Sequence, residues 1–195
     1  MPAQDNERYT AADCAETGSN IPVAGKVIVA DPHILPDDLN SQLFFCFSER
    51  LKFHGSEQKW LLTASLENGR GCSIARDAVI GVLKPELLPD DARLQLSQLR
   101  PLTALKPKGA PTYTGYCFLP DGRYSAGIFF ENPKDAVDYV QMQASYQHRI
   151  LLCDQEDYGV VEMVDGKLTY PTREEMDAFR QGGAEQEQTG GMTMT

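Results

Sequence analysis

No Cys-x-x-Cys pair occurs among the five cysteines, 14, 46, 72, 117 and 153, which are odd in number and widely spaced. Their spacing argues against a disulfide framework, and the three scattered histidines, 33, 54 and 148, do not complete a zinc ligand set. Gly-x-Ser-x-Gly, His-Glu-x-x-His and phosphate-loop patterns are missing as well. No cofactor and no metal is therefore expected. The longest apolar runs, such as residues 43–47, fall far short of the roughly 20 residues of a membrane helix. Residues 1–5 bring neither a basic nor an apolar leader segment, so a cytoplasmic protein is expected.

Basic charge is also scarce, and unevenly so. The chain of 195 residues carries a net charge of −10. Residues 111–195 hold 6 Lys and Arg against 14 Asp and Glu, whereas residues 1–110 hold 12 against 14. An acidic second half repels a phosphate backbone, whose recognition rests on Lys and Arg. Direct nucleic-acid binding is not expected; a basic protein partner is what this sign of charge permits.

Against these absences stand three turns of one type: Asn68-Gly69-Arg70, Asp121-Gly122-Arg123 and Asp165-Gly166-Lys167, each breaking a β-leaning apolar run. Asn-Gly and Asp-Gly tolerate the positive φ of hairpin turns. The pattern predicts an α+β protein of antiparallel β-hairpins, with short helices packed on one face of the sheet, in one domain or two small lobes.

Five segments follow from composition. Residues 1–20 read as a flexible arm, 21–100 as a β-rich N-terminal lobe and 101–111 (PLTALKPKGAP) as a proline-rich connector. Residues 112–180 read as a ββαβββα lobe, and 181–195 as a disordered tail. In the first lobe, 26–30 is a strand, 43–53 fits helical spacing but leans to strand on aromatic density, and 77–83 fits either. Leu-Pro-Asp-Asp at 35–38 and 88–91 suggests two similar helix entries, the second capped by Asp90. In the second lobe, strands at 113–119 and 123–130 flank Pro120-Asp121-Gly122. Asn132 caps a helix with Pro133 at its first position, and Thr172 caps another with Glu174 and Glu175 in its first turn.

Candidate chemistry is sparse. His148 and Cys153 lie five apart, an odd separation that sends them to opposite faces of one strand; Cys46 and His54, eight apart, would be well over 20 Å apart at about 3.3 Å per residue. The carboxylates Asp154, Glu156 and Asp157 fall in an inter-strand loop ahead of Tyr158, where a docking patch is expected. Ten aromatic rings crowd residues 113–170, more than a thin two-layer lobe can hide. Tyr116 and Tyr124 are thus expected to join Asp154, Glu156, Asp157 and Tyr158 in an acidic, tyrosine-bearing binding face. The resulting expectation is a non-catalytic binding or regulatory protein with a basic protein partner. A small enzyme with its site in an inter-lobe cleft, using His54 or His148 as base, is the first alternative. A homodimer assembled through sheet edges is the second.

Overall fold

A computed structural model describes residues 9–35, 39–51 and 58–189 of the chain. It is α+β and hairpin-built, with two antiparallel sheets and three α-helices. The chain divides into two compact units, Met1–Leu96 and Ser97–Thr195. No helix among the described residues is long and apolar enough to cross a membrane.

The first unit holds a six-stranded sheet of order β1-β6-β2-β3-β4-β5. The strands are β1 (Cys14–Thr17), β2 (Lys26–Ala30), β3 (Leu43–Leu51), β4 (Trp60–Ser65), β5 (Gly71–Ala75) and β6 (Val79–Leu83). Strand β2 is an unbroken apolar run, and its Val27, Ile28, Val29 and Ala30 are all fully buried. Continuous hydrophobicity of this kind marks a strand covered on both faces. The ambiguous segment after residue 42 is a strand, because Phe44, Phe45 and Cys46 pair with β2 on one side and β4 on the other. The second Leu-Pro-Asp-Asp tetrad leads into a helix, α1 (Asp90–Ser97), and the chain that resumes at Leu39 after the first enters β3. Residues 36–38 lie outside the described residues. Asp90 stands in the first turn of α1 rather than before it, where its charge still faces the helix dipole favourably.

Within the stretch read as an arm, a short 3₁₀ turn (Ala11–Asp13) leads into β1, which pairs with β6. Thr10 and Asp13 cap that turn reciprocally. The strand has one buried residue in four, too little apolar signal to stand out in the sequence.

The second unit holds a five-stranded sheet of order β11-β10-β9-β7-β8. Its strands are β7 (Tyr113–Phe118), β8 (Ile128–Phe130), β9 (Arg149–Asp154), β10 (Gly159–Val164) and β11 (Lys167–Tyr170). Helix α2 (Pro133–Gln143) follows β8, and α3 (Arg173–Thr189) follows β11. Asn132 accepts a hydrogen bond from the Asp135 amide, with Pro133 at the first position of α2. Thr172 and Glu175 form a capping box ahead of α3. That helix continues to Thr189, into the stretch read as a disordered tail. Once its first turns are capped and anchored by Met176 and Phe179, each added residue needs only one further bond.

The three turns differ in geometry. Val164 pairs with Lys167, and Asp165 (φ 48°) and Gly166 (φ 72°) both adopt positive φ, which makes the two-residue type I′ turn. In the other two turns only Gly69 (φ 72°) and Gly122 (φ 85°) do so, which lengthens the loops to four and three residues. After Gly122 the chain makes only a single bridge, Phe118 to Tyr124, before regular pairing resumes at Ile128; β8 is therefore shorter than the sequence suggested.

Both helices of this unit lie on one face of its sheet. The core there joins Cys117, Ile128, Phe130, Ile150 and Leu152 from the strands to Ala136, Val137, Tyr139, Val140 and Met176 from the helices. Tyr139 is fully buried, its hydroxyl donating to the Ser97 carbonyl at 2.8 Å and meeting Cys117 Sγ at 3.2 Å. Gly115 makes room for it, because a β-carbon there would lie 2.7 Å from the tyrosine ring. The Gly115→Ala variant should therefore be less stable by about 1–3 kcal/mol, as expected for overpacking a rigid ring. A lowered midpoint in urea, followed by far-UV circular dichroism, would register it.

Candidate functional site

Alternation along the strands decides what the second sheet shows on its helix-free face. Cys117 and Gly115 face Tyr139, so Tyr116 and Phe118 point the other way. Ile128 and Phe130 are in the core, so Phe129 between them also turns to the helix-free face, 47% exposed. Tyr124 completes the group, 63% exposed, with its ring 5.5 Å from Phe118 and 6.4 Å from Tyr116. Two of the three tyrosines expected at the site, Tyr116 and Tyr124, are in contact, through an edge-on pairing favoured by the ring quadrupoles.

Two charged side chains share this face. The Arg149 guanidinium stacks over the Phe118 ring at 5.0 Å and bonds Glu162 at 2.7 Å. The Arg149 bond to Glu162, and then that of the Thr169 hydroxyl, hold the Glu162 carboxyl below its ordinary range. Arg149 gives the aromatic row a cationic boundary, but its charge is spent on Glu162.

The acidic loop between β9 and β10 divides into two roles. Asp154 is structural: its Oδ1 accepts hydrogen bonds from the Glu156 and Tyr158 amides, and its own amide donates to the Tyr158 carbonyl. This side-chain turn imitates a backbone turn, which is why an aspartate is needed there. Asp157 adopts φ 63°, a conformation Asp tolerates better than most residues. Glu156, Asp157 and Tyr158 are exposed, Tyr158 by 69%. Desolvation, followed by the charge of Asp157, pushes the Tyr116 phenol above the usual tyrosine range. The loop thus bears electrostatically on the aromatic face. Of the six residues singled out from the sequence, Tyr124, Glu156, Asp157 and Tyr158 are exposed, Tyr116 is partly buried, and Asp154 shapes the loop. Phe129 was missed because an Ile-Phe-Phe run does not disclose which ring turns inward until its pairing partner is known.

Other groups with catalytic potential are occupied differently. His148 Nδ1 lies 2.8 Å from Asp165 Oδ1, on the exposed turn between β10 and β11. His54 lies outside the described residues. All five cysteines are free thiols, and burial pushes Cys46 and Cys117 up to about 12, so both are protonated at neutral pH. Among the described residues, no group of three or more His, Cys, Asp or Glu is placed to hold a metal ion.

Comparison with protein-family models, curated proteins and solved structures finds no match to this chain.

The Glu162 pair has a defined pH signature. Its folded-state pKa is depressed, so its stabilisation is present above the ordinary glutamate value, near 4.3, and is lost as pH falls through the folded value. Glu162→Gln should lower stability at pH 7 by less than about 1 kcal/mol, given that both partners are partly exposed. Wild type and variant should converge at acid pH in denaturant titrations run from pH 7 to pH 3.

Proposed function

We propose that this chain is a non-catalytic binding protein whose C-terminal unit docks a basic protein partner on the helix-free face of its sheet. The observation that carries this reading is the contiguous row of Phe118, Tyr116 and Tyr124, partly open to solvent, with the charge of Asp157 in reach of Tyr116 and Glu156 next to it on the same exposed loop. Exposed aromatic rings are what protein interfaces enrich, because they bury a large area with few rotatable bonds. The acidic rim supplies the sign of the partner. With 6 basic against 14 acidic residues from 111 onward, a lysine- or arginine-rich surface is drawn in and a polyanion is repelled. Tyrosine hydroxyls at the rim accept and donate hydrogen bonds, so the same rings serve apolar and polar contacts.

The partner would make its apolar contacts on Tyr124 and Phe129 and its charged contacts on the Glu156–Asp157 loop. Association should weaken with added salt, since exposed charges are screened beyond about 8 Å at physiological ionic strength.

Affinity capture with matched baits tests this reading. One bait carries Tyr124→Ser and Phe129→Ser; a second carries Glu156→Lys and Asp157→Asn, the latter keeping a residue that tolerates positive φ. A control carries Glu174→Lys and Asp177→Asn, the same change in charge on exposed positions of α3. A basic protein retained by wild type and control but lost by both face variants is the expected result. Equal retention by all four baits would overturn the reading.

A further inference from the structure

The first unit contains a cavity of about 460 Å³ at the outer edge of its sheet, where β4 and β5 meet the 3₁₀ turn Pro32–Ile34. Its floor is the core itself: Phe44 and Ile74 line it, and both belong to the buried cluster of that unit. Trp60 and the partly buried Cys72 line it too. A concavity of this volume, walled by aromatic and aliphatic side chains, falls within the range of small-molecule sites, about 300–1,000 Å³.

The charged groups among the described residues of its wall have one sign. Among the described residues that line it are Asp31 and Asp77, with no lysine, arginine or histidine. Asp31 is fixed by the turn it caps, Oδ1 accepting from the His33 amide at 2.9 Å. Its backbone amide is tied to the Ala78 carbonyl, which holds this turn against the start of β6. Asp77 accepts from Gln58 Nε2 at 3.1 Å. Two carboxylates at the margin of an apolar cavity favour a cation, and the electron-rich face of an indole favours it further.

The geometry points to this cavity as a binding site for a small organic cation: an aromatic or branched apolar body seated on Phe44, Trp60 and Ile74, with an ammonium head toward Asp31 and Asp77. Every described residue that lines the site belongs to the first unit. A ligand-binding unit joined to a partner-binding unit gives the chain two separate recognition surfaces.

Three probes of matched shape test it: 4-phenylbutylamine, 4-phenylbutan-1-ol and 4-phenylbutanoate. Trp60 is the chain's single tryptophan, so its emission reports on this cavity without interference from another indole. The amine should shift that emission saturably at one equivalent, bind at least ~5-fold more tightly than the alcohol, and bind more tightly still than the carboxylate. Asp31→Asn with Asp77→Asn, where asparagine keeps the cap of the turn, should remove the preference for the amine and leave affinity for the alcohol within about twofold. The amine should also slow alkylation of Cys72 by iodoacetamide, read by peptide mass spectrometry, because the other four cysteines are buried. No saturable change in Trp60 emission with any probe would overturn the proposal. So would a carboxylate bound as tightly as the amine, or an amine preference that survives both asparagine substitutions. These outcomes leave the docking face untested, so the two readings fail separately.

Discussion

Tyr139 can lie inside the second unit only because Gly115, on the strand beneath it, has no side chain. Its hydroxyl would be costly to bury alone, and two partners meet it: the carbonyl of Ser97 accepts its hydrogen bond, and the thiol of Cys117 lies 3.2 Å away. This one ring ties α2 to β7 and to the chain that enters the unit. It also commits α2 to one side of the sheet, and α3 packs beside it on that same side. The opposite side is left to Tyr116, Phe118, Tyr124 and Phe129. The exposed aromatic row is the counterpart of the buried one, produced by the same alternation of side chains along β7 and β8.

Local chemistry was legible in the sequence wherever a single residue type had no substitute. Asp165-Gly166 announced a two-residue hairpin, Asn132-Pro133 announced a helix start, and the alternation of Tyr116, Cys117 and Phe118 announced that the two rings share one face and the thiol takes the other. What stayed hidden depended on partners distant in the chain. Whether residues 43–51 form helix or strand is decided by pairing with β2 and β4, which no local pattern contains. The strand at Cys14–Thr17 exists because β6 offers it an edge. Just before β8, glycine stands at 127 because a β-carbon there would lie 2.7 Å from Thr114 and 2.9 Å from Tyr116 on β7.

The candidate site shows the same division. Acidity and tyrosine content of the second half are compositional, and reading them required no fold. The separate role of Asp154 is geometric: among four neighbouring polar residues it alone receives two backbone amides, and its carboxylate builds the turn that presents the others. The cavity of the first unit was invisible in the sequence, since its wall is assembled from segments near residues 30, 44, 60, 74 and 78. Asp31 and Asp77 come to one opening because β2 pairs with β6, which sets Asp31 against Ala78.

The chromophores of this protein are sorted by unit. The lone indole stands in the first, while seven of the eight tyrosines, 113, 116, 124, 139, 146, 158 and 170, stand in the second. Excitation at the red edge of the absorption band therefore follows one half of the molecule, and tyrosine absorbance follows the other almost exclusively. The wild-type chain can thus be melted once and read at two wavelengths, revealing without any label whether its halves come apart together or in turn.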